Sequence, residues 1–325
     1  MTSLKYSSKI IPLLKFILVA GLLYFLIHKG FISVSAISQA LAQWEKIAPA
    51  IFLLLLTTPL GALRWQWLLQ AQNIQIPWLK TLQLTLIGNF FNIALPGAVS
   101  GDFVKAYYVA KLVHGEKSPA LGSILFDRVA GVSALVLVSS GAMMIGLRTY
   151  YQSSLFQAIQ FLMMTAACIV LVFYTYLFLV KERQDPLLRL LKKLEKKLSY
   201  ISALTRVYRS MRHYHHHRLT VIKVLGASIA IHLSVGWSCL IFAQTLGATS
   251  LPLLSLYVIV PLGLLVTAIP IAPGGIGTGN VAFLYLFQLL GCDRGADIYS
   301  LFALQQILFS CLGGLVYFQF RPKQL

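Results

Sequence analysis

Asp102, Lys105, Asp127 and Arg128 stand out in this sequence because each falls beside or inside a run of apolar residues. Asp102 and Lys105 are three apart and so share a helix face. They could neutralise one another, or share a phosphate-bearing headgroup with the amides of a helix N-terminus. A plainer role for Asp102 is an N-cap that accepts a hydrogen bond from the first turn, which does not prevent it from lining a cavity. Asp127 and Arg128 fall about two turns inside an apolar span. Charges at that depth are costly and face a partner or a polar cavity, unless the two form an interface pair with Arg128 snorkelling to headgroups. Asn89 and Asn92, on one face of a short helix, could bond across helices or hold a headgroup.

Two Gly/Pro-rich breaks interrupt the apolar sequence: Leu95-Pro96-Gly97-Ala98-Val99-Ser100-Gly101-Asp102 and Ala272-Pro273-Gly274-Gly275-Ile276-Gly277-Thr278-Gly279-Asn280. They align with a one-residue gap, a weak repeat. Unwound backbone at membrane depth leaves donors and acceptors unpaired, so it persists only inside protein or beside a polar cavity. Paired breaks of this kind point to a transporter binding site. In the second break the glycines permit a tight turn and close backbone approach, and Thr278 and Asn280 could cap the helix that follows. A dinucleotide reading of its glycines fails for want of a βαβ unit. Gln305 and Gln306 are unusual in an apolar span, and one should face the bundle interior, as a structural bond or a substrate contact.

His213, His215, His216 and His217 could bind a metal in isolation, but beside Arg209, Arg212 and Arg218 they read as solvated or headgroup-facing imidazoles. The four cysteines are scattered, suggesting neither disulfides nor zinc. With no Ser/His/Asp arrangement and no embedded carboxylate pair, the chain is not expected to be an enzyme, and no cofactor or metal is expected.

The elements that must position these residues are membrane helices. Of 325 residues, 58% are hydrophobic and only 11% charged, too few polar side chains to cover a globular surface. Apolar runs at 47–63, 132–147, 155–180 and 251–269 approach or exceed the roughly 17–25 residues that cross a bilayer as helix. The alternating pattern of a barrel is absent. Full spans are expected at about 10–28, 47–69, 119–147, 155–180, 219–246 and 297–319. The first is a retained span rather than a cleaved signal, and an amphipathic stretch at 32–43 follows it at the far surface. Arg64, Trp65 and Trp67 suit an interface. Segments 79–91 and 103–113 flank the first break, and 253–269 and 281–290 the second. Residues 181–218 hold eleven Lys and Arg against three carboxylates; Leu187, Leu190, Leu191, Leu194 and Leu198 recur at helical spacing, so this is a basic amphipathic segment at the cytoplasmic surface.

If both interrupted elements enter and return, the Lys-rich start, 105–117, 181–218 and the C-terminus share one side, which the positive-inside rule makes the cytoplasm. That rule also accounts for the formal charge of +18 without nucleic acid. The expected fold is therefore all-α: a single polytopic membrane domain over 1–325, with about six full spans and two oppositely oriented re-entrant hairpins as an inverted repeat.

Asn92-x-x-Leu95-Pro96-Gly97 with Gly101-Asp102 and Lys105, the Asp127-Arg128 pair, and Pro273-Gly274-Gly275-x-Gly277 together resemble the membrane-embedded, flippase-like domain of the lysylphosphatidylglycerol synthase family. Order and spacing agree over nearly the whole chain. The resemblance implies a lipid-moving helical domain, here without the soluble aminoacyl-transfer domain that some members carry. Many relatives place a basic residue near Ala98 and an acidic one near Asn280, where this sequence has neither. The expected function is a flippase or transporter for a phosphate-bearing lipid of a bacterial inner membrane, both termini cytoplasmic. Its site would form where Asp102–Lys105 and Thr278–Asn280 converge, with Arg128 as a second cation. A small-solute transporter and a non-transporting scaffold for a biosynthetic enzyme stay open, as does self-association; phospholipid or polyprenyl-linked lipids are the expected partners.

Overall fold

A computed structural model of the chain describes residue 28 and residues 33–94, 100–112, 117–146, 154–198, 201–268 and 275–319. Among these there are α-helices and short 3-10 turns and no strand. In chain order the α-helices are α1 (Val34–Ala42), α2 (Trp44–Ala71), α3 (Trp78–Ala94), α4 (Ser100–Leu112), α5 (Ser118–Ile145), α6 (Ser154–Leu179), α7 (Pro186–Glu195), α8 (Ile201–Arg212), α9 (Arg218–Thr245), α10 (Leu253–Thr267), α11 (Thr278–Gln288) and α12 (Gly295–Gln319). Five of them, α2, α5, α6, α9 and α12, are long and apolar enough to cross a membrane. Apart from residue 28, the span expected at 10–28 lies outside the described residues, as do 95–99 and 269–274 at the two breaks.

Length separates two kinds of helix. The 28 residues of α2, α5 and α9 each extend about 42 Å at 1.5 Å per residue, more than the roughly 30 Å hydrocarbon core. By the same rise the 17 residues of α3 and the 15 of α10 reach only about 25 and 22 Å. The short helices pair as antiparallel hairpins. In the first, Asn92 of α3 accepts a hydrogen bond from the Gly101 amide of α4 (2.8 Å). In the second, Gly263 of α10 packs against the Phe283 ring of α11.

The hairpins rise from opposite ends of the bundle. Gln39 and Gln43 donate to the Thr245 carbonyl (3.3 and 3.2 Å), placing the start of α2 beside the end of α9. At the other end Gln72 donates to the Ser210 carbonyl (2.7 Å) and Tyr214 to that of Leu68 (3.1 Å). The α3–α4 hairpin starts from this basic end and shares a core with Trp65, Leu69 and Ile124. The α10–α11 hairpin starts from the opposite end, and its core joins Leu256, Ile259, Phe283 and Phe287 to Ala36, Ala40 and Leu54.

Residues 181–218, expected as one amphipathic helix, form a hairpin of α7 and α8 with a 3-10 turn on either side. Asp185-Pro186 sets where α7 begins. Proline is tolerated in the first helical turn but not inside a helix, and Asp185 caps the new helix by accepting from the Leu188 amide (2.9 Å). The same carboxylate, fully buried, also accepts from Tyr176 (2.7 Å) and Tyr208 (2.9 Å) and pairs with Arg212 at 3.0 Å. Arg212 in turn donates to the terminal carbonyls of α6, those of Tyr176, Leu177 and Val180. A guanidinium at a helix C-terminus satisfies orphan acceptors and complements the dipole.

Burial by itself pushes the Asp185 carboxyl up, but the Leu188 amide, the two tyrosine hydroxyls and Arg212 outweigh it and hold the group below its ordinary 3.8. A carboxyl depressed in the folded state stabilises above its unfolded value and loses that contribution as pH falls through the folded one. Asp185→Asn should therefore lower the thermal midpoint of the detergent-solubilised protein at pH 7. The gap from wild type should narrow as pH drops below 3.8; a pH-independent gap would show that the negative charge is not what Asp185 contributes.

Candidate functional site

The middles of α2, α5, α9 and α12, with α3 and α4 beside the first break and the end of α10, enclose a cavity of about 360 Å³. Thr57, Thr58, Gly61 and Arg64 come from α2, and Asp127, Arg128, Gly131, Val132 and Leu135 from α5. Thr85, Asn89 and Asn92 line it from α3, and Asp102 and Lys105 from α4. Ile231 and His232 of α9, Leu264, Leu265 and Ala268 at the end of α10, and Gln306 of α12 close it.

Its charges are ordered in two sets. Arg64 grips Asp127 in a two-point bridge, Nε to Oδ1 at 2.7 Å and Nη2 to Oδ2 at 2.8 Å, and its remaining arm donates to Ser228 at 2.9 Å. Asp102 is shared by Arg128, at 2.5 Å, and Lys105, at 3.7 Å. The Lys105 ammonium also lies 4.3 Å from the centre of the Trp65 ring, an attraction that strengthens when water is excluded. Three cations thus face two carboxylates, and the lining carries one positive charge in excess. His232 donates from Nε2 to the Gly131 carbonyl (3.1 Å). Its Nδ1 has no hydrogen-bond partner among the described residues.

The expected Asp127-Arg128 pair is thereby resolved into two different bridges. Neighbours on a helix point about 100° apart, so Asp127 turns inward to Arg64 while Arg128 turns toward α4. Arg64 and Trp65 are not interface residues: Trp65 is fully buried, its indole donating to Ser123 (3.2 Å). Asp102 stands at the third position of α4, its carboxylate spent on side chains.

The second break departs further from expectation. Gly275 and Gly277 have φ of 72° and 93°, the left-handed turn that glycine permits. Thr278 bonds back to the Gly275 carbonyl (2.9 Å). Asn280 accepts from the Gly277 amide and donates to Ala296 and Ser300 of α12. None of these four lines the cavity, so the expected convergence of Thr278–Asn280 with Asp102–Lys105 is not found. The amide of Asn280 is consumed in tying α11 to α12, and α10 supplies this hairpin's contribution through Leu264, Leu265 and Ala268. Of the glutamines, Gln306 lines the cavity, whereas Gln305 is buried elsewhere with Oε1 unpartnered among the described residues. Pro96, Gly97, Pro273 and Gly274 lie outside the described residues. Among the described residues no group of three His, Cys, Asp or Glu could hold a metal.

Sequence reasoning missed Arg64, Thr57, Thr58, Thr85 and His232. A signal existed for α2: Thr57, Gly61 and Arg64 repeat at helical spacing within an apolar span. Pro59, which lacks an N–H, marks where that helix loses a backbone bond.

Gly101 keeps the hairpin tight without lining the cavity. A methyl group there would sit 1.9 Å from the Gly88 carbonyl oxygen, backbone that cannot move aside. Small residues let membrane helices approach this closely.

Five helices long and apolar enough to cross a membrane, four of them lining one cavity, define a multi-pass helical membrane protein. The family model for the lysylphosphatidylglycerol synthase TM region matches residues 13–304, and the chain belongs to that family. Over 90 residues it is 29% identical to the UPF0104 membrane protein PH1989 of Pyrococcus horikoshii, a stretch covering 27% of this chain and 27% of that protein. The chain thus aligns with about a quarter of that relative's length. No solved structure matches it. Membership is consistent with a role concerned with membrane lipids.

Removing one partner of a buried bridge strands the other charge, at a cost of about 3–5 kcal/mol. Arg64→Leu and Asp127→Leu should each lower the thermal midpoint sharply, and the double variant should recover most of the loss; strictly additive effects would show the pair to be uncoupled. Gly101→Ala should destabilise by about 1–3 kcal/mol through overpacking. Gly141→Ala, with nothing within 4 Å of the added methyl, should leave the melting curve unchanged or raise it.

Proposed function

We propose that this protein is a lipid transporter that moves a phosphate-bearing lipid between the leaflets of a bacterial inner membrane, with both termini cytoplasmic. On this reading the α3–α4 and α10–α11 hairpins are re-entrant, entering from opposite faces and meeting at the cavity. The observation that carries the proposal is where the cavity opens. Leu121, Leu125, Arg128 and Val132 form one stripe of α5; the three apolar side chains are exposed, as is Arg128, whose side chain is 46% exposed near the middle of a spanning helix. Midway along a span the surroundings are acyl chains. Arg128 and Val132 of that stripe also line the cavity, so an opening between them would let a headgroup enter sideways while its tails stay in lipid.

The interior suits that headgroup. One surplus positive charge, donors from Asn89 and Thr58, and an arginine already engaged by a carboxylate favour an anion that can share Arg128 and Lys105 with Asp102. A small-solute carrier needs a pocket closed to lipid, so a side opening weighs against that alternative. No chemical step is assigned to the cavity; movement would come from one hairpin-bearing half rocking against the other.

Leaflet exchange of labelled phospholipids and polyprenyl phosphates in proteoliposomes tests the proposal. Wild type should exchange at least one of them; Arg128→Ala, which leaves Asp102 paired with Lys105, should abolish exchange while keeping normal yield, whereas Asp102→Ala, which strands the buried Lys105, should lose exchange together with a lower thermal midpoint. Full exchange by both variants would remove this cavity from the transport path.

A further inference from the structure

The α7–α8 hairpin offers the bundle only part of its apolar surface. With about 100° between successive residues, α7 divides into three strips. Leu188 and Leu191 are buried against the rest of the protein. Arg189, Lys192 and Lys193 project on the opposite side and are exposed. Between them run Leu187, Leu190 and the half-buried Leu194; Leu187 is 44% and Leu190 51% exposed. Helix α8 repeats the arrangement, with Ile201 and Thr205 buried, Arg206 and Arg209 exposed, and Leu204 57% exposed on a third side.

We infer that this hairpin is a docking surface for an anionic leaflet, with its spare leucines among the acyl chains and its lysines at the headgroup phosphates. Charge complementarity selects the occupant: residues 181–218 carry eleven Lys and Arg against three carboxylates, and lipid phosphates are the dense negative charge available where membrane spans end. The pattern of a leucine strip beside a basic strip is that of a helix lying in the interface plane. The attachment fixes its level as well. Arg212 and Arg218 donate to carbonyls at the end of α6, and Asp185 locks Arg212, Tyr176 and Tyr208 together. The hairpin is therefore held at the end of a membrane span, in one orientation, rather than hanging from a loop. This inference does not rest on the transport proposal.

Hydrogen exchange of residues 186–212 in the full-length protein tests it, using nanodiscs of phosphatidylcholine alone or mixed with phosphatidylglycerol. Wild type should exchange several-fold more slowly when phosphatidylglycerol is present. Substituting Lys192, Lys193, Lys196 and Lys197 together by Gln should remove that dependence while α5 and α9 keep wild-type protection, which controls for folding. Leu187→Ser combined with Leu190→Ser should speed exchange in both lipids. Equal wild-type exchange in the two lipids, or a dependence that survives the fourfold lysine substitution, would overturn the inference. Slowing seen only on addition of a soluble protein fraction would overturn it too, by giving the face to a protein partner.

Discussion

Five charged side chains sit around one cavity at a depth where water is scarce, and their mutual pairing is the constraint on which the rest of this structure depends. An isolated charge in a low-dielectric interior is expensive, and its cost falls only when a partner arrives with good geometry. Arg64 and Asp127 meet that condition in a planar two-point bridge, and Asp102 meets it by collecting both Arg128 and Lys105. The members come from α2, α4 and α5, so none of these helices can shift along its axis without stranding a charge. The bridges thereby fix the register of α2, α4 and α5 against one another.

Short helices make that pairing reachable. Asp102 and Lys105 stand near the start of a 13-residue helix that begins midway through the bundle. That beginning is held by Gly101 lying on Gly88 and by Asn92 accepting the Gly101 amide. Without those contacts the polar start of α4 would need other partners at a depth that supplies few. The second hairpin solves the same problem differently. Gly275 and Gly277 turn the chain in a left-handed conformation, and Asn280 anchors the new helix to α12. One hairpin thus brings charge to the cavity and the other brings an apolar wall. Two elements that look alike in sequence have unlike roles.

The basic segment shows how a surface element becomes part of the framework. Its charges divide between duties: Arg212 caps the end of α6 and pairs with Asp185, whereas the lysines of α7 face outward. Its contacts reach the basic ends of α2 and α5 through Gln72, Tyr214 and Ser210. These are the two helices whose middles carry Arg64 and Asp127, so the surface hairpin and the cavity share supporting elements.

The sequence by itself determined the class of structure and much of its chemistry. Composition demands membrane helices because so few polar side chains cannot cover a water-exposed surface, and Gly/Pro breaks in apolar sequence must adjoin buried protein or a polar space. Asn89, Asn92, Asp102, Lys105, Asp127, Arg128 and Gln306 were legible for that reason: each is a polar group costly to leave without a partner at that depth. Only the tertiary structure decided who pairs with whom. Asp127 and Arg128 are neighbours in sequence but diverge around the helix, and Arg64 meets Asp127 across 63 positions. Thr278 and Asn280 satisfy their polar groups locally and on α12, an outcome that spacing along the chain could not distinguish from lining a cavity. Helical periodicity tells which residues share a face; which neighbour that face meets is set by packing among helices distant in the chain.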